Sequence, residues 1–251
     1  MKGTFLSAEE QTRYRGHLSL CEIDFAGQER LARSRVLIVG AGGLGSPVAL
    51  YLAAAGVGHI SILDPDRVSL SNLQRQVIHT TGDIGRLKVH SAAEKLRAIN
   101  PGIEVTPIAD RLTEENAREI IGSHELTVDC TDNLQTRLLI NDSCVGDGKM
   151  LVSGAVSRFS GMVFSHVAGS ACYRCIFDPA DTTAEEAPCA INGILNAAVG
   201  VVGSLQATEA VKLIVGTGDA LVNRLLTFDA VTMSFNSFEV NPIEGCICQH
   251  G

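Results

Sequence analysis

A glycine-rich segment follows the first apolar run of the chain and has the spacing of a phosphate-binding turn. Residues 36–39 are apolar and lead into Gly-Ala-Gly-Gly-Leu-Gly at residues 40–45, which contains the pattern G-x-G-x-x-G. Glycines there allow a tight turn, let the backbone approach a phosphate and open a helix whose N-terminus attracts anions. Asp64 lies 19 residues after Gly45, where a carboxylate can accept hydrogen bonds from ribose hydroxyls. The spacing predicts a nucleotide site that uses Gly40, Gly42, Gly43, Gly45 and Asp64.

Basic, amide and acidic side chains follow the later predicted strands. Arg75 lies just after the second strand, Lys88 opens the next helix, and Asp132 follows the fourth strand. In a doubly wound sheet these positions share the carboxyl edge of the strands. Cations there neutralise charge that develops during phosphoryl or nucleotidyl transfer, and the acid can hold Mg²⁺. The expected set is Ser71, Asn72, Arg75, Lys88, Asp132 and Asn133, of which Arg75, Lys88 and Asp132 are the catalytic candidates.

Two other classes of protein fit the glycine pattern by itself. A nicotinamide-dependent oxidoreductase would carry the same turn, but its dinucleotide is normally held by backbone N–H groups and a helix dipole. Arg75, Lys88 and Asp132 add a clamp that hydride transfer does not need, so nucleotidyl chemistry is favoured. The same three residues argue against a non-catalytic binding module that keeps the fold as a scaffold.

Predicted strands and helices alternate along the first 156 residues. Strands are expected at 36–39, 59–64, 103–108, 126–130 and 151–155, and the main helices between them at 45–55, 88–99 and 134–145. After Gly161 the pattern changes to antiparallel strands at 162–164 and from 225 to 240, with a long helix at about 194–215. We therefore expect an α/β fold with a doubly wound, Rossmann-like, mostly parallel sheet and antiparallel C-terminal strands.

The composition is that of an ordinary globular protein, with 45% hydrophobic and 19% charged residues. A formal net charge of −8 argues against a non-specific nucleic-acid binder. The first residues carry no apolar signal region, and we expect polar side chains to prevent residues 191–215 from spanning a membrane. These interruptions are Asn196, Gln206, Glu209 and Lys212. We expect a cytoplasmic location, where thiols stay reduced, and neither a membrane nor a nucleic-acid partner.

Eight cysteines in a reducing compartment indicate metal ligands, a reactive thiol and core residues rather than four disulfides. Cys172 and Cys175 form a C-x-x-C pair, and Cys246 and Cys248 form a C-x-C pair near the end of the sequence. Two thiolate pairs predict a structural, tetrahedral Zn²⁺ site that clips a loop. Cys130 and Cys144 fall in a predicted strand and helix and are expected in the core, and Cys21 has no assigned role.

The motifs appear in an order that resembles the MoeB/ThiF family, bacterial relatives of ubiquitin-activating enzymes, from about Arg13 to Cys248. The resemblance implies an enzyme that uses ATP and Mg²⁺ to adenylate the C-terminal Gly-Gly carboxylate of a ubiquitin-like sulfur carrier, for molybdopterin, thiamine or related biosynthesis. It assigns the ribose contact to Asp64, phosphate contacts to Gly43, Asn72, Arg75 and Lys88, and Mg²⁺ to Asp132. The motifs that carry it are the glycine segment, Asp64-Pro65-Asp66 (with Asp66 also in the cofactor site), residues 72–76, Lys88, residues 129–133 and residues 203–207.

Further expectations follow from the resemblance. It implies a homodimer, a separate sulfur-donor protein, and a single adenylating domain over 1–251. That domain would have a helical lead-in at 1–34, a nucleotide-binding part at 35–156 and a carrier-binding and zinc part at 157–251. Cys189 is a candidate catalytic thiol for sulfur transfer, although the adjacent Glu185 and Glu186 would raise its pKa.

The sequence departs from the family pattern at two places. The family carries C-x-x-C at both cysteine pairs, so here Cys246 and Cys248 could both bind zinc, or His250 could replace one of them. Gly16 stands where the family has an arginine that reaches the partner subunit's ATP, and Arg13 or Arg15 is the candidate substitute. These departures keep open a relative that adenylates another carboxylate, on a peptide or a tRNA.

Overall fold

The structure is a computed structural model that describes residues 6–177 and 193–249. Eight helices of four or more residues occur in these ranges, and we number them in chain order. They are α1 (Ala8–Arg13), α2 (Arg15–Leu18), α3 (Asp24–Arg33), α4 (Gly45–Ala55), α5 (Lys88–Ile99), α6 (Glu114–Gly122), α7 (Leu134–Gly146) and α8 (Asn196–Val215). The strands are β1 (Arg35–Val39), β2 (His59–Leu63), β3 (Glu104–Ile108), β4 (Leu126–Asp129), β5 (Met150–Ser157), β6 (Ser160–His166), β7 (Arg224–Asp229) and β8 (Ser234–Glu239).

The strands form one eight-stranded sheet in the order β3-β2-β1-β4-β5-β6-β7-β8. The first five strands of this order are parallel, and β6, β7 and β8 continue the sheet in antiparallel fashion. The chain order reverses between β1 and β4, where Val39 pairs with Asp129. Ligands of open α/β sheets bind at such a switch point, outside the carboxyl ends of the strands. The predicted fold class is confirmed.

Helices cover both faces of the parallel strands, which explains why these strands are continuously apolar. Along β1, Val36 and Ile38 pack into the cluster on the α4, α5 and α8 face, whereas Leu37 and Val39 face α6 and α7. All four side chains are at most 2% exposed. Side chains alternate between the faces of a strand, so a strand buried on both faces needs apolar residues at every position.

The long helix α8 is a core helix of the fold. By length and mean hydropathy it is apolar enough to cross a membrane, so our expectation that its polar side chains exclude this was wrong on composition. Half of its most apolar segment is nevertheless buried inside the fold. Glu209, one of the polar interruptions, is buried and accepts hydrogen bonds from Ser165 Oγ at 3.0 Å and from the Leu221 N–H at 2.6 Å.

Candidate active site

In the turn after β1, two positions lie so close to backbone carbonyl oxygens that only glycine fits there. Gly40 has a φ of +100°, and a Cβ there would lie 2.7 Å from the Cys130 carbonyl oxygen. A Cβ at Gly45 would overlap the Gly40 carbonyl oxygen. This turn, the glycine loop (residues 40–45), therefore presents bare backbone at the start of α4, as phosphate binding requires.

Asp64 ties the end of β2 to the glycine loop. Its Oδ2 accepts a hydrogen bond from the Ala41 N–H at 2.8 Å, and its Oδ1 accepts one from the Asp66 N–H at 2.8 Å. The Lys88 ammonium, at the start of α5, lies 2.8 Å from Asp66 Oδ2 and 3.7 Å from Asp64 Oδ2. Lys88 is only 4% exposed, so it needs these carboxylates as partners when no other anion is bound.

Arg75 is oriented by the short helical turn that precedes it. Its Nη2 donates to Asn72 Oδ1 at 3.0 Å, and its Nη1 donates to the Ser71 carbonyl oxygen at 3.4 Å. The side chain also passes beneath the glycine loop, because a Cβ at Gly43 would lie 3.6 Å from Arg75 Cγ. Ser71 and Asn72 thus hold the guanidinium group rather than forming the wall of the site themselves.

Residues 130–133, the Asp132 segment, connect β4 to α7 and are held by the last residue of β4. The buried Asp129 carboxylate accepts hydrogen bonds from the Thr131 N–H at 3.0 Å and the Thr131 hydroxyl at 2.7 Å. Asn133 caps α7 by accepting the Thr136 N–H at 2.9 Å. Asp132 lies between these two anchors with an exposed side chain, free to meet a ligand.

These segments surround one cavity of about 300 Å³ at the switch point between β1 and β4. Its wall contains nine of the predicted nucleotide-site residues: Gly40, Gly42, Gly43, Asp64, Asp66, Arg75, Lys88, Asp132 and Asn133. Gly45, Ser71 and Asn72 are not part of this wall, and Ser71 and Asn72 instead bind Arg75.

Five polar residues of this wall were not predicted as site residues: Gln76, Arg111, Thr131, Thr136 and Arg137. Gln76 is 4% exposed, and its Oε1 has no hydrogen-bond partner within residues 6–177 and 193–249. Arg137 Nη2 donates to the Thr131 carbonyl oxygen at 2.5 Å, so it braces the Asp132 segment from α7. The position of Gln76 next to Arg75 was a signal that could have been used, whereas Arg137 sits inside a helix pattern and gave none.

A buried histidine supports the glycine loop from the other side. His79 Nε2 lies 2.9 Å from the Ala41 carbonyl oxygen, and its Nδ1 lies 2.9 Å from Ser91 Oγ. Burial lowers the pKa of His79, so its ring is neutral at pH 7. The neutral ring can donate to the carbonyl from Nε2 and accept the Ser91 hydroxyl at Nδ1, which holds the loop with a defined tautomer.

The cavity fits a nucleoside triphosphate with one divalent cation. Bare loop backbone, Lys88 and Arg75 suit the phosphates, and Asp132 offers a single carboxylate. Within the described residues no group of three or more His, Cys, Asp or Glu ligands occurs at the cavity. Mg²⁺ is commonly bound by one or two carboxylates together with substrate phosphates. Asp132 would therefore share the ion with the nucleotide.

Four cysteine sulfurs form a separate cluster beside α7. The Sγ atoms of Cys172, Cys175, Cys246 and Cys248 all lie within 4.8 Å of one another, and all four thiols are free. Three of the six Sγ–Sγ distances, those that join Cys246 to Cys172 and Cys175 and Cys248 to Cys175, are 3.5–3.6 Å. A tetrahedral Zn²⁺ with Zn–S bonds of about 2.3 Å places its sulfurs about 3.8 Å apart. The geometry fits zinc and includes both cysteines of the C-x-C pair, while His250 lies outside the described residues.

The cluster is anchored to α7 by polar contacts. Asn141 Nδ2 lies 3.7 Å from Cys172 Sγ, and Asn141 Oδ1 accepts the Tyr173 N–H at 2.7 Å. Arg174 donates from two nitrogens to the Asp142 carboxylate at 2.6 and 2.7 Å. A donor to a ligand sulfur supports thiolate charge, and second-sphere contacts of this kind orient metal ligands.

The remaining described cysteines differ in their exposure to solvent. Cys130 and Cys144 are buried, as expected, and burial raises the pKa of the Cys144 thiol to about 12. Such thiols are poor nucleophiles. Cys21 is exposed, and Cys189, the candidate catalytic thiol, lies outside the described residues.

The switch-point cavity, the glycine loop and the buried lysine define a nucleotide-binding α/β protein equipped for chemistry on phosphates. The chain matches the ThiF family over residues 14–248 and belongs to that family.

Relatives agree with this assignment. A Haloferax volcanii protein named SAMP-activating enzyme E1 is 42% identical over 247 residues, which cover 98% of this chain and 92% of that protein. A Thermus thermophilus protein named sulfur carrier protein adenylyltransferase is 43% identical over 244 residues, covering 95% and 90%. The Culex quinquefasciatus adenylyltransferase and sulfurtransferase MOCS3 is 45% identical over 239 residues, but this chain, 94% of which is matched, spans only 54% of its length.

The crystal structure of E. coli MccB has the same fold. It matches with a TM-score of 0.85, covering 98% of this chain and 74% of that chain, at 22% sequence identity. At this identity the likeness shows the fold alone.

Proposed function

We propose that the protein is an ATP-dependent adenylyltransferase that activates the C-terminal glycine carboxylate of a ubiquitin-like sulfur carrier. The reaction joins the carboxylate to the α-phosphorus of ATP and releases pyrophosphate, giving an acyl-AMP. Two relatives that match over nine-tenths of their length carry names that refer to activation or adenylation of such carriers. The pathway that the carrier would serve is molybdopterin, thiamine or related sulfur-containing cofactor synthesis.

The cavity gives each side chain a defined task in this reaction. The glycine loop holds the phosphates, and Asp64, at the end of β2, accepts the ribose hydroxyls. Lys88 and Arg75 neutralise negative charge as the carboxylate attacks and pyrophosphate departs. Mg²⁺ bound at Asp132 would add charge neutralisation on the phosphates. No covalent enzyme intermediate is required, because positioning and charge neutralisation supply the catalysis.

The observation that carries the proposal is the joint presence of Arg75, Lys88 and Asp132 in the wall of one cavity at the glycine loop. ATP–pyrophosphate exchange with a Gly-Gly-ending carrier tests it directly. We expect exchange with the intact carrier and none with the same carrier lacking its last glycine. Exchange that needs no carrier would instead indicate another carboxylate substrate.

The carrier is expected to approach over the C-terminal part of the chain, within the 157–251 portion of a single domain. Exposed apolar side chains cluster at the β7–β8 hairpin and suit the apolar surface of a small protein partner. They are Val231, Met233, Phe235 and Phe238, which are 51–71% exposed.

A homodimer is supported by an apolar face between α4 and α8. The face includes Tyr51, Val77 and Leu205 and continues to Ile99 at the end of α5. Tyr51 is 59% and Val77 64% exposed. Neighbouring apolar side chains that are exposed together commonly mark a protein–protein contact surface. Arg13 lies beside it, donating to the Ile99 carbonyl oxygen at 3.0 Å. In a dimer built on this face, Arg13 would lie close to the partner subunit.

Three further assignments complete the proposal. Sulfur is supplied by a separate donor protein. Cys189 is retained as the candidate thiol for transfer from the acyl-AMP. The location is cytoplasmic, which agrees with seven free thiols among the described cysteines.

A further inference from the structure

One face of α8 contacts the glycine loop and the start of α4. Val199, Gly203 and Gln206 lie at i, i+4 and i+7 and share this face. A Cβ at Gly43 would meet Val199 Cγ1 at 2.9 Å, and a Cβ at Gly203 would meet the Leu44 carbonyl oxygen at 2.8 Å. The helix backbone therefore packs directly against the phosphate-binding turn.

Gln206, on the same face, contacts the last residue of β4. Its Nε2 donates to the Asp129 carbonyl oxygen at 2.7 Å, and both residues are at most 1% exposed. The neighbouring β5 residue is Gly154, whose missing side chain leaves the space that the Gln206 amide fills, because a Cβ there would overlap it. The Gln206 amide therefore packs directly against the backbone of β5.

The bond falls at the point where the Asp132 segment leaves the sheet. Asp129 is the last residue of β4, and its carboxylate accepts the Thr131 N–H at 3.0 Å and the Ser153 hydroxyl at 2.7 Å. The carbonyl and the carboxylate of one residue are therefore both fixed. Any movement of this backbone would move Asp132, three residues further on.

Stability alone does not explain a glutamine at this position. The Asp129 carbonyl oxygen can only accept a hydrogen bond, so the Gln206 nitrogen must face it, and Gln206 Oε1 has no partner among the residues that the structure describes. A buried amide with an unsatisfied oxygen is unfavourable, and Leu or Met of similar volume would avoid that loss. The hydrogen bond to Asp129 is what the amide adds.

We infer that Gln206 is a positioning residue for the nucleotidyl transfer proposed above, on which this inference rests. It fixes the Asp132 segment relative to α8, and α8 is in turn packed against the glycine loop through Val199 and Gly203. The helix therefore sets the separation between the phosphate-binding turn and the carboxylate that shares Mg²⁺ with the nucleotide. This also gives a role to Gln206 within the 203–207 segment.

The test compares Gln206→Met with the wild type by titration calorimetry of ATP in Mg²⁺ and of ATP in EDTA. Met keeps the volume and removes the donor, so Asp129, which holds the Asp132 segment, loses its hydrogen bond to α8. We expect binding of ATP in Mg²⁺ to weaken about tenfold, the scale of losing a second-sphere contact to a metal ligand. Binding in EDTA should change by less than about twofold, because α8 still packs against the glycine loop.

Ala210→Gly is the matched control, because it lies on the same helix one turn further from the cavity and is fully buried. It should lower the melting temperature and leave both ATP affinities unchanged. Gln206→Asn serves as a second variant if Met prevents folding, since it keeps the amide but withdraws it by one methylene. It should also weaken binding selectively in Mg²⁺.

Equal loss in Mg²⁺ and EDTA, or no loss in either, would overturn the positioning role. Pyrophosphate exchange measured in parallel separates the two proposals. A wild type that binds ATP but catalyses no exchange with any Gly-Gly-ending carrier contradicts the proposed function and leaves the Gln206 result interpretable. Normal exchange together with unchanged Gln206→Met binding contradicts only the inference drawn from α8.

Discussion

At the residue scale, two cations of the cavity are held in position by neighbouring carboxylate, amide and carbonyl oxygens. Lys88 is buried between Asp64 and Asp66, and Arg75 is bound by Asn72 and the Ser71 carbonyl. The Asp66 side chain is 62% exposed, so its ion pair with Lys88 is screened by water and weaker than a buried one. The cations are thus oriented before a nucleotide arrives, which reduces the reorganisation needed during the reaction.

Arg75 and Asn72 provide a graded test of this arrangement. Arg75→Ala removes the guanidinium and should lower kcat/KM for pyrophosphate exchange by about 100-fold or more. Asn72→Ala leaves the guanidinium but removes one hydrogen bond to it, so the loss should be about tenfold. Leu70→Ala, in the same turn and 71% exposed, is the control and should match the wild type. An Asn72→Ala effect as large as that of Arg75→Ala would mean that Asn72 contacts the substrate itself.

At the element scale, α7 connects the two sites of the molecule. Its first residues follow Asn133 and Asp132, and Arg137 braces the Thr131 carbonyl. Further along, Asn141 and Asp142 contact the segment that carries Cys172 and Cys175. The cysteine cluster therefore holds the C-terminal residues of the described chain against the helix that begins at the cavity.

Loss of the cysteine cluster should destabilise this part of the protein. Cys248→Ser removes a buried ligand, so we expect less than one zinc per chain and a free energy of unfolding lower by about 3 kcal/mol or more. Metal analysis and thermal unfolding measure both quantities. Cys21→Ser changes an exposed thiol and should alter neither. Full zinc content in Cys248→Ser would show that the cluster is not the metal site.

The sequence predicted best those elements whose residue types are determined by local burial or close backbone packing. The buried parallel strands were recognisable because both of their faces are covered, and the glycine loop because its close contacts exclude side chains. The role of Gln206 was not recognisable, since its partner Asp129 lies 77 residues away. The polar residues of α8 were a poor guide, because its length and composition alone would allow a membrane span, whereas half of its most apolar segment is buried by tertiary packing.

At the scale of the whole molecule, buried histidines link stability to pH. Burial lowers the pKa of His79, His124 and His166 in the folded state. Their contribution to stability is therefore fully present above the unfolded pKa of about 6.5 and is lost as pH falls below it. Urea unfolding at pH 7.5 and 5.5 should show lower stability at pH 5.5, with a smaller difference in His79→Gln. Equal stability at both values would contradict these burial effects.

The apolar face between α4 and α8 predicts the assembly. Tyr51→Glu places a charge on this face without disturbing the core, so sedimentation should show a dimeric wild type and a monomeric variant. Val231→Glu, at the β7–β8 hairpin and 71% exposed, should remain dimeric. A dimeric Tyr51→Glu would place the subunit interface on another surface.

Adenylation of the carrier can be observed directly by measuring its intact mass. The protein, MgATP and a Gly-Gly-ending ubiquitin-like carrier are combined with pyrophosphatase, and the intact mass of the carrier is then measured by mass spectrometry. We expect the carrier to gain the mass of one AMP, and hydroxylamine to remove this adduct. No adduct should form with Lys88→Ala or with a carrier that lacks its last glycine. A carrier that stays unmodified with wild-type protein that binds ATP would contradict the proposed function. A carrier that is modified equally well without its terminal glycine would also contradict it.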